Sequence, residues 1–346
     1  MENRELNNSI LHILNIPWNS GLASYSYDMG KYEKELGAEV FFAVVSDSVL
    51  FNQLKGSFSL IGFRSRKTSD SLIGLISILK TGRKFTTVYA HTGSGFFIGI
   101  ILKIISGCRV IRVRAQAGKI KNSILNRYLH GLADSVIAPT EAIREDYRKI
   151  GIAEEKIIFL PPVVETSVFT PSPIENDNVL ALVGRLSRVK GHEVLFNSLA
   201  EIKDNVPGLK IILAGNENPG ERKELIRAAE KLAIDPIIEF KGFLEEVELI
   251  ELMKSARFGI IPSLGSEAVS RVALEWMACG RPIIASRVGM LSEIVRSGYN
   301  GYLFEPGSAL QLSQYMIKLL EDQELNIELG ENARRFVKDR FSPGLY

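Results

Sequence analysis

The sequence predicts an α/β protein built from two parallel, doubly wound sheets in succession. Three observations predict it. Short apolar runs alternate with longer segments of helical spacing along almost the whole chain. Those runs are continuous rather than alternating in polarity, the pattern of strands covered on both faces by crossover helices. The alternation breaks once, across residues 161–178 (PPVVETSVFTPSPIENDN), where four prolines fall among few periodic features, and 346 residues suffice for a domain on each side.

In the first half, residues 10–16 form an apolar strand, 22–36 a helix and 39–45 the next strand. Residues 72–79 read as a helix, 87–90 as a short strand, 96–105 as a helix and 109–113 as a strand. Residues 123–132 are helical, 135–138 form a strand closed by Pro139, and 141–150 a helix. The second half restarts with strand 179–183, helix 193–205, strand 210–213, helix 221–232, strand 237–240 and helix 246–255. Strand 258–261, helix 269–278 and strand 283–285 follow, and helices 310–322 and 324–340 close the chain. The expected organisation is a first domain over 1–165, a linker over 166–178 and a second domain over 179–346. These are two Rossmann-like halves facing a central cleft, with ligands at the carboxyl ends of the strands.

Hydrophobic residues make up 46% and charged residues 24%, an ordinary globular balance. Cys108 and Cys279 lie in or beside apolar segments without CxxC or Cys/His spacing. Buried free thiols are expected, with neither a disulfide nor a zinc site. The opening MENRELNNSILHILNIPW lacks the layout of a signal peptide, and the longest apolar run, FFIGIILKII, is interrupted by Lys103 and too short to span a bilayer. A cytoplasmic protein is expected, with a peripheral seat on the inner face of a membrane left open.

The net charge of +2 hides an asymmetry. Between Lys55 and His130 stand fourteen Lys or Arg and one acid, Asp70, so this segment is +13 and the remainder −11. The first half therefore reads as meeting an anionic partner: a phospholipid, a phosphorylated glycan or a nucleic acid. Aromatic residues interleave only sparsely with the basic ones and no nucleic-acid motif is present, so nucleic acid is not expected.

Four constellations could carry chemistry. In GRLSRVKGH, Gly184 ends a strand, Arg185 and Lys190 are cations, and Gly191 precedes a helix: a pyrophosphate cradle or a charged surface turn. Ser20-Gly21 opens the first helix, where a glycine lets backbone approach a phosphate or simply permits a turn. His91 follows a strand and starts a glycine-rich loop, HTGSG: a lone histidine is usually structural, but in this place it can line the cleft. Glu267 and Glu275 flank seven residues in SEAVSRVALEWMACGRPIIAS, and Glu275 stands in the apolar run 272–278. The ordinary explanation of Glu275 is an (i, i+4) ion pair with Arg271.

Together these segments resemble the retaining nucleotide-sugar glycosyltransferases of glycosyltransferase family 4, which have the GT-B fold. The resemblance runs from about Val179 to Gly307, through VGRLSRVKGHEVLFNSL, IILAGNENP, the E-x7-E pair, ACGRP and the G-x-x-G-x-L element from Gly298 to Leu303. It implies that Glu275 accepts the ribose hydroxyls of the nucleotide and that Glu267 contacts the transferred sugar. Backbone N–H groups of Ala268, Val269 and Ser270 would hold sugar and phosphate, with Gly21, Gly184 and Gly215 on the donor side. Arg185 and Lys190 would neutralise the leaving diphosphate, and His91 is a loose match to a family histidine. No cofactor is implied beyond the nucleotide-sugar as co-substrate, and no metal.

The chain also departs from the pattern. Ala268-Val269-Ser270 stands where the family has Gly-Phe-Gly, and residues 162–165 replace its Asn-Gly-Val-Asp. Arg112 and Arg114 occupy the neighbourhood of a frequent histidine and become candidate contacts to acceptor phosphate. The sequence ends at Tyr346, short of the helix that in relatives returns to the first domain, so either a less restrained closure or a truncated chain is expected. The function implied is a retaining, metal-independent sugar transfer to a cell-envelope glycan or lipid-linked acceptor, as in lipopolysaccharide or polysaccharide biosynthesis. The alternatives are another GT-B reaction, phosphorolysis or epimerisation, or a non-catalytic scaffold.

Overall fold

The computed structural model describes residues 8–17, 20–64, 70–116, 118–174, 178–217, 219–265 and 267–345. The chain divides into two compact units, Met1–Pro161 and Pro162–Tyr346.

The first unit carries strands β1 (Ser9–Leu14), β2 (Glu39–Val45), β3 (Ser59–Phe63), β4 (Thr87–Ala90), β5 (Arg109–Val113), β6 (Ser135–Ala138) and β7 (Ile157–Phe159). Its helices are α1 (Gly21–Glu35), α2 (Val49–Leu54), α3 (Asp70–Leu79), α4 (Gly93–Ser106), α5 (Ile124–Gly131) and α6 (Glu141–Lys149). The sheet order is β3-β2-β1-β4-β5-β6-β7, with parallel pairing throughout. Right-handed crossovers then fix the sides. The chain moves one way along the sheet through β1, β2 and β3, which puts α1 and α2 on one face. It moves the other way from β3 to β4, β5, β6 and β7, which puts α3, α4, α5 and α6 on the opposite face. Local chemistry starts the helices: the hydroxyls of Ser20, Thr92, Ser123 and Thr140 accept from the backbone N–H three residues on, capping α1, α4, α5 and α6.

The second unit carries β8 (Val179–Val183), β9 (Lys210–Ala214), β10 (Ile238–Gly242), β11 (Gly259–Ile261), β12 (Ile283–Ser286) and β13 (Gly301–Phe304), in the order β10-β9-β8-β11-β12-β13. Its helices are α7 (His192–Ile202), α8 (Pro219–Lys231), α9 (Glu246–Ser255), α10 (Arg271–Ala278), α11 (Leu291–Ile294), α12 (Ala309–Glu321) and α13 (Gln323–Arg340). Two cores form, one per sheet face. Leu180 and Leu182 join one cluster with Phe196 and Leu312, whereas Ala181 between them joins the other with Trp276 and Met277. This is the period-two alternation of a strand buried on both sides. Gly259 is needed here, because a Cβ would stand 2.6 Å from the Trp276 ring.

The structure corrects the expected boundary. The units meet at Pro161 and Pro162, not after residue 165. Residues 162–174, part of which reads as linker, are docked on the second unit. Val164 and Phe169 are each 2% exposed in its core, and the Val164 N–H donates to Phe341 O at 2.8 Å. Arg334 donates to the carbonyls of Thr166 and Phe169, and Arg281 to those of Ser172 and Pro173. One buried guanidinium, Arg281, and one half-buried, Arg334, thus satisfy carbonyls of a proline-rich stretch that forms no strand among the described residues. Five elements, β3, β7, β13, α2 and α11, are additional to those read from the sequence, and all three strands are sheet edges. Cys108 and Cys279 are buried and free, as expected, and burial pushes the Cys279 thiol up to about 12, which leaves it inert.

Candidate active site

At the carboxyl ends of β8, β9 and β10 the backbone is held closed by three glycines. The Gly184 N–H donates to Ala214 O at 2.8 Å and the Gly215 N–H to Gly242 O at 2.7 Å. A Cβ on Gly215 would lie 2.1 Å from Gly184 O, so no side chain fits between these turns. Beyond Gly184 the chain makes one 3-10 turn, Arg188–Lys190, ended by Gly191 at φ +72°. A Cβ on Gly191 would meet Pro262 O at 1.9 Å. That close approach sets the Lys190 turn against the end of β11. Arg185 is exposed and Lys190 half-buried.

This contact brings Lys190 to Ser263 and Glu267, more than seventy residues further along the chain. Glu267 is 3% exposed; its Oε1 accepts from Lys190 Nζ at 2.5 Å and from Ser263 Oγ at 2.6 Å. Its backbone carbonyl accepts from the Met290 N–H at 2.7 Å, and a Cβ on Gly289 would stand 2.2 Å from that oxygen. A carboxylate buried this far is tolerable only when paired and hydrogen-bonded, and both conditions hold. The cluster is an ammonium–carboxylate pair at strand carboxyl ends.

Glu275 lies on α10 and is 7% exposed, with Oε1 accepting from Arg271 Nε at 2.8 Å. The (i, i+4) pair of the ordinary explanation therefore exists. Burial nevertheless dominates: it pushes the Glu275 carboxyl above the usual carboxylate range, against the lowering pull of Arg271. A simple surface pair has no such cost. Ala268, Val269 and Ser270 lead into α10 and are all buried. The Ser270 N–H faces Met290 Sδ at 3.4 Å, a weak acceptor, and Ser270 Oγ is buried without a partner among the described residues. This turn therefore holds polar groups whose hydrogen-bonding capacity is unused.

The first-unit residues are placed differently. Ser20 is spent as the cap of α1, with Gly21 as the first helical residue. His91 is 0% exposed and both ring nitrogens are engaged, Nε2 with His12 Nδ1 at 2.9 Å and Nδ1 with Ser26 Oγ at 2.8 Å. The chain continues from His12 Nε2 to Glu33 Oε2 at 2.6 Å. Burial, then His12 and Arg112, hold the His91 pKa well below its usual value, so it is a neutral imidazole inside a polar chain rather than an open acid or base. Arg112, expected as a phosphate contact, is 3% exposed, and its Nη1 donates to the carbonyls of Ala90 at 2.6 Å and Val113 at 2.9 Å. A side chain on an inner strand covered on both faces has no exit to a surface ligand. Arg114 is half-buried, with Nη2 on Gly118 O at 2.6 Å.

Two residues of the cluster escape sequence reading. Ser263, two residues beyond β11, has no motif of its own, and only its position after an apolar strand could flag it. Gly289 is legible as a turn glycine, but not as the residue that admits the Glu267 carbonyl.

Two parallel-sheet units with a charged cluster at the strand ends of the second define the class: a two-domain Rossmann-like protein. Residues 164–336, half of the chain, match the family Glycosyl transferases group 1, and the chain belongs to that family. It is 24% identical to an uncharacterized glycosyltransferase of Methanocaldococcus jannaschii over 85% of this chain and 74% of that protein. It is 28% identical to a D-inositol 3-phosphate glycosyltransferase of Acidothermus cellulolyticus over 72% of this chain and 62% of that protein. The crystal structure of Anabaena HepE in complex with UDP shares the GT-B fold at TM-score 0.83 and 22% identity, covering 96% of each chain; HepE is also solved with UDP-glucose.

Proposed function

We propose that this chain is a retaining glycosyltransferase of family 4 that moves a sugar from a nucleotide-sugar to an anionic cell-envelope acceptor, a glycan or lipid-linked intermediate of lipopolysaccharide or polysaccharide biosynthesis. The observation that carries the reading is Glu267, buried and clamped between Lys190 and Ser263 at the strand ends. In this reading Lys190 and exposed Arg185 take the diphosphate, and Glu267, released from Lys190, accepts sugar hydroxyls. Glu275 accepts the ribose hydroxyls, whose hydrogen bonds favour its charged form. Fixed cations stabilise the negative charge that develops on the departing diphosphate, the part a metal plays in other transferases. The bond from C1 to diphosphate breaks and the bond from C1 to the acceptor oxygen forms on the same face, while the acceptor proton passes to a diphosphate oxygen. The binding of UDP and UDP-glucose by HepE supports a nucleotide-sugar donor. The +13 segment supports an anionic acceptor and a seat at a membrane surface.

A thermal-shift panel of UDP, GDP, ADP and CMP and their sugars, run on wild type and Glu275→Ala, tests this. One nucleotide should raise the wild-type midpoint by mass action and leave the variant unmoved. No shift with any nucleotide at millimolar concentration sinks the donor reading and leaves the scaffold. Transfer activity should also survive a chelator.

A further inference from the structure

We infer that the outer face formed by α3, α4 and α5 is a docking surface for an anionic lipid bilayer, on which the first unit lies without crossing. This deepens the membrane seat proposed above by assigning it to particular residues, and it does not depend on the donor chemistry.

The crossover argument puts α3, α4 and α5 side by side on one face of the first sheet. Contacts agree: Lys103 on α4 donates to Leu132 O just after α5, and Phe96 stacks on His130. An ordinary surface helix turns a polar side outward, and these do not. On α3 the outward stripe is Leu72, Ile76 and Leu79, at 62%, 43% and 45% exposure. On α4 it is Phe97 and Ile104, at 61% and 79%. On α5, Ile124 and Tyr128 stand 88% and 65% exposed. The spacings 72, 76, 79 and 97, 104 are helical repeats, so each helix presents a second apolar side besides the one facing the sheet. Neighbouring α6, on the same face, shows what this sheet otherwise carries: Arg144 and Arg148 pair with Glu141, Glu145 and Glu154. In the second unit the exposed apolar residues are fewer: Phe243 and Val247 lie four residues apart beside the start of α9, and Leu264, Leu310 and Ile327 are scattered.

Charge selects the occupant. Residues 71–133 contain ten Lys or Arg and no Asp or Glu; Arg112 is buried, Lys103 pairs with Asp134 and Arg83 with Glu39, and the other seven have no acid in this segment to offset them. Exposed Lys80, Lys84 and Arg109 gather where α3 and α4 end, and Lys119 and Lys121 precede α5. Around a cavity of about 320 Å³, Leu79 and Ile105 meet Arg83 and Lys84, so the apolar stripes run into the basic rim. A second copy of this chain docked two-fold on the same face would supply cations against cations. A bilayer with anionic headgroups supplies the complement of both parts, hydrocarbon for the stripes and phosphate for the rim. Among the described residues no helix is long and apolar enough to cross, and α4 has fourteen residues, so the contact is interfacial.

The experiment is co-sedimentation of the full chain with vesicles of phosphatidylglycerol and phosphatidylcholine, or phosphatidylcholine alone. It compares wild type, Phe97→Ser/Ile104→Ser, Lys80→Ser/Lys84→Ser and the second-unit control Leu310→Ser. Wild type and the control should bind anionic vesicles. The apolar double variant should lose about tenfold or more, and the lysine double variant less, in a salt-dependent way. Thermal melts report whether each variant folds, and Phe97→Trp should show a blue shift on vesicle addition that wild type lacks. Undiminished binding by Phe97→Ser/Ile104→Ser overturns the assignment while leaving the membrane seat standing. Failure of wild type to bind overturns both. A wild-type dimer that becomes monomeric in the apolar variant gives the face to a second copy and overturns the proposal.

Discussion

The two units share one architecture and use it differently. Both are parallel sheets covered by crossover helices. In the second unit the strand carboxyl ends are brought together by glycines and hold a paired lysine and glutamate. In the first unit polar groups satisfy one another, in a chain from Glu33 of α1 through His12 of β1 and His91 to Ser26, with Arg112 clamped on carbonyls. Its unusual chemistry lies on the outer helix faces instead. The lesson is that topology offers a set of places, and residue type decides which of them is left with unspent capacity.

Three substitutions test that contrast. The largest effect is expected at Gly191→Ala, where both a positive φ and a backbone carbonyl at 1.9 Å oppose a side chain. Chemical denaturation should show a loss of at least about 4 kcal/mol, or no folded second unit. A loss below about 1 kcal/mol would mean the turn relaxes freely and does not position Lys190. Next comes His91→Ala, which leaves His12 Nδ1 without its partner and Ser26 Oγ with the Leu22 carbonyl alone, in a closed site, and should cost about 2–4 kcal/mol. If it abolishes transfer while leaving stability intact, the first-unit chain is catalytic rather than structural, and the comparison drawn here breaks.

The smallest effect concerns Glu275, and its sign is set by burial. A folded-state carboxyl raised above its unfolded value near about 4.3 contributes stability at low pH that is lost as pH rises through the folded value. Glu275→Gln should therefore gain in melting temperature relative to wild type between pH 4 and pH 7.5, in the absence of nucleotide. A gain in the opposite direction would show the Arg271 pair outweighing desolvation, returning Glu275 to an ordinary helix pair. The contrast with Glu154 sharpens this: that carboxyl is exposed and held down at about 2 by Arg148 and Arg144, so its contribution is lost as pH falls, not as it rises.

Much of the fold was legible because inner strands and long helices are strongly patterned. Strand 179–183 and helix 246–255 fall on β8 and α9 residue for residue. The strands that went unread, β3, β7 and β13, are edges of three to five residues whose pairing on one side only leaves a weaker apolar signature. Glu267, Glu275, Lys190 and Gly184 were legible as residue types at motif spacing, and so was the excess of cations in the first half.

Distance in sequence hid the rest. That Lys190 and Ser263 converge on one carboxylate oxygen depends on β8 and β11 lying side by side, a sheet order that no local pattern encodes. Whether Arg112 is a surface cation or a buried clamp depends on which neighbours cover its strand. The same holds for the stripes on α3 and α4: their apolar residues are plain in the sequence, but only packing decides which of them the sheet consumes and which face outward. Composition and periodicity are local quantities that the chain carries unfolded. Burial and partnership are properties of neighbours, and neighbours exist only once the sheet is assembled.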